Sequence, residues 1–273
     1  MTDLSYSLLY RNFDSDFGEQ SWSYRRFAVT YHKIELKNKN YFLRAYHVND
    51  HDGASYDGAW VAQLMNPAWK SDATWFDDYT NAFNGSVNGV ASGNHQTARN
   101  YADIGMPQPG SELFNALFNQ YKSAPIGRGG ARNIDESSLT KVLGQYNFGK
   151  IISWMEIIAG FELGWRKINS EGTQLMDYPP PFAPIHDNNS SGYLQLKKEL
   201  LNKKMIIIAS TRADKYSQYD LHITPRIAAS YQFMKDNYLR ASFQMGTQNP
   251  DPYFLYAYSK DGNNGIVDRK SVV

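Results

Sequence analysis

The chain has 273 residues, 42% of them hydrophobic and 15% aromatic, which excludes intrinsic disorder and allows one or two globular domains. Its formal net charge of +1 leaves no basic footprint for nucleic acid, and the absence of cysteine excludes disulfides, thiolate metal sites and a cysteine nucleophile. No apolar run reaches the ~18 residues of a transmembrane helix, but a membrane barrel hides its apolar residues at every second position and has a low mean hydropathy, here −0.57.

The first residues, MTDLSYSLLY, carry no basic or apolar leader pattern. They open directly in an alternating run, Leu4, Tyr6, Leu8 and Tyr10 against Ser5, Ser7, Leu9 and Arg11. A chain that opens in mid-strand is expected to have its true start upstream. Residues 24–36 alternate next, with Thr30, His32, Ile34 and Leu36 against Tyr31, Lys33 and Glu35, and residues 40–48 follow a turn at Asn38-Lys39. This period of two predicts strands with one apolar and one polar face.

Residues 51–132 break the alternation. Helix-like stretches stand at 72–83, 93–103 and 111–121, with Ser71 or Asp72 as a cap for the first and Ser111 with Glu112 for the third. A connection this long is expected to be folded and functional. Trp75, Phe76, Tyr79, Tyr101 and Phe114 fit either a small core of this segment or a ligand platform. Trp75, Tyr79, Arg99 and Tyr101 are the candidate ligand-facing residues.

Alternation resumes at 134–148 and is clearest at 152–166, where Met155, Ile157, Ala159, Phe161, Leu163 and Trp165 share one parity. Residues 192–200 and 205–215 come next, then a hairpin of HITPRIAASYQF and NYLRASFQMG around Lys235-Asp236-Asn237. The polar parity gathers Glu156, Glu162, Arg166, Ser210, Arg212, Asp214, Arg226, Arg240 and Gln244. Tight turns at 37–39, 148–151, 201–204 and 235–237 alternate with longer connections at 14–22, 51–132, 167–190 and 216–221. Short turns on one side and long loops on the other are the asymmetry of outer-membrane barrels. Trp165 at a loop end, and Tyr146, Phe148, Tyr231 and Phe233 at turn ends, fit aromatic girdles. The alternation by itself leaves two architectures open, a membrane barrel with its apolar face on lipid or a soluble secreted β-sandwich with that face on a second sheet.

Few motifs suggest chemistry. His47 and His51, with Asp50 and Asp52, lie where a strand runs into a loop and read as a polar loop, not a helical zinc pair. GRGGAR at 127–132 lacks the ending of a phosphate loop and reads as a flexible hinge, and DGNNG at 261–265 reads as a turn. Asp77 and Asp78 are adjacent on a predicted helix, where neighbouring side chains diverge. No catalytic constellation, metal site or cofactor site emerges.

The stretches AWKSDATWFDDYTNAFNG, VASGNHQTARNYAD, GQYNF, FELGWRKINSEGTQL and DKYSQYDLHITPRIAASYQF resemble the barrel of TonB-dependent outer-membrane receptors. The likeness is to the branch that carries an N-terminal carboxypeptidase-like regulatory domain, and it runs from about residue 1 to about residue 255. It implies an all-β fold: a partial antiparallel up-and-down transmembrane β-barrel, about nine strands of ~22, with a long, partly helical extracellular loop. It implies an outer-membrane location and active uptake of a scarce ligand such as an iron chelate, a vitamin or a glycan. The implied partners are a plug domain of the same full-length chain, the periplasmic energy-transducing TonB protein acting through a missing N-terminal region, outer-membrane lipid, and a small-molecule or glycan ligand. The polar-parity residues Glu156, Glu162, Arg166, Arg212, Asp214, Arg226 and Arg240 would then face the lumen. Leader, box, plug and closing strands are missing from the sequence, so an internal section of the barrel over residues 1–267 is expected. The last six residues, DRKSVV, equal the translation of a common sequencing-library adapter, so 268–273 is expected to be a non-native tail.

Overall fold

The computed structural model describes residues 1–17, 21–175, 183–248, 250, 255–256, 258–260 and 266–268. Residues 269–273, most of the expected tail, and the turn expected at 261–265 lie outside the described residues. Two compact units divide the chain: residues 1–12, 28–51 and 135–273 form one, and residues 13–27 with 52–134 form the other.

The first unit is built on an antiparallel meander. Its strands are β1 (Asp3–Phe17), β2 (Trp22–Lys37), β3 (Tyr41–His51), β5 (Ser138–Asn147), β6 (Glu156–Ile168), β7 (Ile185–Leu200), β8 (Met205–Tyr216), β9 (His222–Met234) and β10 (Asn237–Gln244), in that spatial order. Each pairs with its sequence neighbour, as an up-and-down barrel wall requires. A short β4 (Tyr56–Asp57) pairs beside the outer end of β2, and β11 (Tyr258–Lys260) pairs with β12 (Ile266–Asp268) as a separate hairpin. The tight turns at 37–39, 201–204 and 235–237 fall where the sequence places them, whereas the one expected at 148–151 widens to residues 148–155. Leu201, Asn202, Lys203 and Asp236 adopt positive φ there, which closes the connections in few residues.

Several strands outrun their alternating runs. β1 continues from the expected Arg11 to Phe17, and β7 begins at Ile185 instead of Gly192. The added part of β7, IHDNNSS, is polar on both faces and carries no period-two signal. β6 starts later than expected, at Glu156, because Phe148–Lys150 forms a 3₁₀ turn before it.

The ladder registers fix the two faces. Leu43, Gly144 and Phe161 line up across β3, β5 and β6, as do Leu194, Thr211 and Pro225 across β7, β8 and β9. The sheet is inside-out compared with a soluble protein. Leu239 is 66% exposed and Phe243 62%, whereas Glu35 is 5% exposed and Asp214 8%. Among the described residues of this unit the buried apolar side chains are Ile168 and Leu175, both at the loop side. No second sheet covers the apolar face among the described residues, so the sandwich architecture is not formed. Aromatic rings mark its borders: Tyr41 and Tyr146 stack at 6.3 Å near the turns, and Phe148 packs on Tyr146 at 4.8 Å.

Glycines inside the strands are covered by cross-strand rings. A Cβ on Gly144 would stand 2.7 Å from the Phe161 ring, and one on Gly160 would overlap the Tyr193 ring. The rings replace the packing that glycine lacks and hold β5, β6 and β7 in register.

The second unit is mostly helical: α1 (Gly58–Trp69), α2 (Asp72–Phe83), α3 (His95–Ala102) and α4 (Glu112–Ser123). Ser71, Asn94 and Ser111 accept from the backbone N–H three residues on and cap α2, α3 and α4. Helix α1 is not among the predicted stretches. Asp57 caps it, and Pro67 sits in its last turn, where few hydrogen bonds remain to be lost. Val61 and Met65 of α1 and Ala131 form the core, with Tyr56, Trp60, Phe114, Leu117, Phe118 and Tyr121 around it. The GRGGAR stretch is not a flexible hinge. Ala131 is fully buried, Gly130 N–H donates to Pro125 O over 3.2 Å, and the Ala124 carbonyl occupies the place a Cβ on Gly130 would need.

The unit also takes in the tip of the β1–β2 hairpin, residues 13–27, which the sequence leaves as a separate loop. Ala54 N–H donates to Arg25 O over 2.8 Å and Gly58 N–H to Ser21 O over 2.7 Å. Gly53 has φ +63°, and a Cβ there would overlap the Arg25 and Arg26 carbonyls, so only glycine allows this close approach.

Candidate functional site

The candidate site is the polar face of the meander. Registers place Glu156, Glu162, Arg166, Arg212, Asp214, Arg226 and Arg240 on one and the same face. At its centre is a hydrogen-bonded charge network. Lys141 Nζ donates to Glu162 Oε1 over 2.6 Å. Arg212 Nε donates to Asp214 Oδ1 over 2.8 Å, and its Nη2 donates to Ser191 Oγ over 2.8 Å and reaches Glu162 Oε2 at 3.4 Å. Four strands, β5 to β8, are thereby cross-linked on one face. Tyr193 extends over Gly160 and donates its hydroxyl to Gln145 Oε1 over 2.7 Å. Nearer the turns, Lys197 Nζ meets Glu156 Oε2 at 3.3 Å. On β2 and β3, Arg44 meets Glu35 Oε2 at 2.5 Å, and Lys33 and Lys37 flank the same carboxylate.

Sequence parity finds the acids Glu156, Glu162 and Asp214 and the cation Arg212 but misses Lys141, Ser191, Tyr193 and Gln145. These belong to the set only through register, since each lies opposite a residue of β6 or β8. At the loop side, Arg166, Asp187, Arg212, Asp214 and Thr224 border a cavity of about 530 Å³, and the buried Tyr219 hydroxyl there has no hydrogen-bond partner among the described residues. Arg226 and Arg240 stand apart from the central network.

The predicted ligand-facing residues lie on α2 and α3. Trp75 and Tyr79 stack at 5.4 Å, Trp75 Nε1 donates to Asp103 Oδ1 over 2.8 Å, and the Tyr79 hydroxyl bonds His95. No hydrogen bond or ring contact among the described residues joins Arg99 or Tyr101 to this stack. Phe114 belongs to the core of the unit, while Phe76 is 61% exposed.

His47 shares a hydrogen bond with Thr140 and His51 pairs with Glu136, so the two histidines turn to different partners. Among the described residues no group of three or more histidines or carboxylates is placed to hold a metal ion, and no helix is long and apolar enough to cross a membrane.

An exposed apolar face, a charge-bonded opposite face and alternating short and long connections describe a section of transmembrane barrel wall. The family model described as TonB dependent receptor-like, beta-barrel matches residues 2–269. The chain belongs to this family. TonB-dependent receptors are outer-membrane transport proteins, so the apolar face of the meander is the surface that such a barrel turns to lipid. A search of the curated proteins finds no match.

Proposed function

We propose that the chain supplies barrel wall and an extracellular capture unit to a TonB-dependent receptor for active uptake of a scarce ligand, an iron chelate, a vitamin or a glycan. The polar face lines the lumen, against the plug domain of the full-length receptor and the passing ligand. The helical unit of residues 52–134 with the 13–27 tip is the extracellular part and presents Trp75, Tyr79, Arg99 and Tyr101 to ligand. The periplasmic TonB protein supplies the energy through the N-terminal region of the receptor.

The observation that carries this reading is the separation of faces. Charges that would be solvated outside a soluble sheet are here bonded to one another across strands, as in a confined aqueous channel, while the apolar face is left bare. Adjacent positions on β8 test it: Ser210 belongs to the polar face and Ala209 to the apolar face. In outer membranes containing the full-length receptor, a water-soluble thiol reagent is expected to label Ser210→Cys and spare Ala209→Cys. A fluorophore at 209 is expected to be quenched by brominated lipid. Equal aqueous labelling of both positions would rule out the barrel wall.

A further inference from the structure

The wall formed by β9 and β10 differs from the rest of the polar face. On β5–β8 the cations Lys141, Lys197 and Arg212 are each tied to a carboxylate, and Arg166, without an ion pair among the described residues, lies opposite Asp187 in the ladder. Neither β9, HITPRIAASYQFM, nor β10, NYLRASFQ, contains an acid. The Arg226 and Arg240 side chains are exposed on the polar face and make no hydrogen bond or ion pair with the described residues. Arg240 lies over its neighbour Tyr238 at 5.6 Å, which orients the guanidinium without neutralising it.

The two guanidiniums frame one hollow. Arg226 lies opposite Gln244, and Arg240 is four residues further along β10, opposite Ser230, so the two Cα positions are separated by ~14 Å along the strands. Small side chains, Ala228, Ser230 and Ser242, lie between them and leave a hollow of about 430 Å³. Ile206 and Ile208 of β8 close its far side. Two unneutralised forks of donors, one at each end of a small-residue floor, with no acceptor charge on either strand, are complementary to anionic groups.

We propose that this hollow is an anion subsite of the lumen wall, in which Arg226 and Arg240 hold two carboxylate- or phosphate-type groups of one ligand. The proposal rests on the polar face lining the lumen. The same chemistry has a second source in carboxylates of the receptor itself, on the plug or on a neighbouring strand, and the test separates the two.

These 273 residues contain no cysteine, so, with any cysteine elsewhere in the full-length receptor changed to serine, Ser242→Cys gives a single attachment point at the floor of the hollow for a neutral fluorophore. In the full-length receptor in nanodiscs, quenching by iodide, by neutral acrylamide and by brominated lipid is compared. Iodide quenching is expected to exceed that of the Arg226→Gln/Arg240→Gln double variant by about threefold, one kT of local potential, with acrylamide quenching unchanged. Millimolar citrate or inorganic phosphate is expected to remove the excess. Iodide quenching that is the same in both proteins, or that resists citrate and phosphate, would mean that the receptor's own carboxylates occupy the arginines and would overturn the proposal. Quenching by brominated lipid with none by acrylamide would instead overturn the lumen assignment itself.

Discussion

Arg212 reaches Glu162 across an intervening strand. Its Nη2 lies 3.4 Å from Glu162 Oε2 on β6, while its Nε holds Asp214 on its own strand at 2.8 Å and β7 contributes Ser191 between them. Lys141 on β5 closes the chain from the other side. A half-buried cation shared by two carboxylates is costly to remove, because its partners remain desolvated and repel each other.

Arg212→Met is accordingly expected to destabilise the barrel by about 2 kcal/mol. Arg212→Met combined with Asp214→Asn should recover part of that loss, since Asp214 bonds Arg212 alone and is then no longer an orphaned charge, while Glu162 keeps Lys141. Urea unfolding of the full-length receptor from lipid vesicles measures both, and a double variant less stable than the single one would show that the network is not the cause.

Gly160→Val removes the space under Tyr193. The ring must leave its position, its bond to Gln145 is lost, and β5–β7 lose a cross-strand tie. A loss of about 2 kcal/mol is expected from overpacking and the broken bond, and Gly160→Val with Tyr193→Ala should lose less than the two single changes added together. A double-variant cycle by vesicle unfolding reads the coupling.

Ser71→Ala and Ser111→Ala each delete a helix cap in the helical unit. Each is expected to cost about 1 kcal/mol, seen as faster hydrogen exchange at the first turns of α2 and α4 respectively. Exchange in the β6–β8 ladder should stay unchanged.

The tip of the β1–β2 hairpin should respond to acid. Asp16 accepts from Ser23 Oγ at 2.5 Å and from Arg25 Nη2 at 2.7 Å. The Ser23 hydrogen bond, and then that of Arg25, hold its carboxyl below the usual carboxylate range. The folded value lies below the unfolded one, so this contribution is present at neutral pH and is lost as pH falls through the folded value. Protection of the tip amides against exchange should therefore drop in acid, and Asp16→Asn should show the low-pH behaviour at neutral pH.

The wall was legible in the sequence where lipid demands it. On β6, Ile157, Ala159, Phe161, Leu163 and Trp165 alternate because one face meets hydrocarbon. Beyond the apolar band that demand ends, and the first residues of β7 are polar on both faces, so their strand character rests on pairing with β6 alone. Helix α1 was hidden by Pro67, and its stability comes from Val61 and Met65 packing in a core that no local window contains. Parity placed Arg212 and Glu162 on one face, but only the register shows that they meet. The buried glycine of GRGGAR was misread for a related reason: its tightness depends on Ala124, a backbone neighbour that composition cannot reveal.

The joining of the 13–27 tip to residues 52–134 in one compact unit bears on affinity. A long surface loop that becomes ordered only when ligand arrives subtracts its conformational entropy from the binding free energy. Here capped helices and the Val61–Met65–Ala131 cluster fix the loop at the time of folding. In the proposed capture role, the stacked rings of Trp75 and Tyr79 are set in place before an encounter begins, and capture can approach the rigid-docking limit in which contact energy appears almost undiminished as retention.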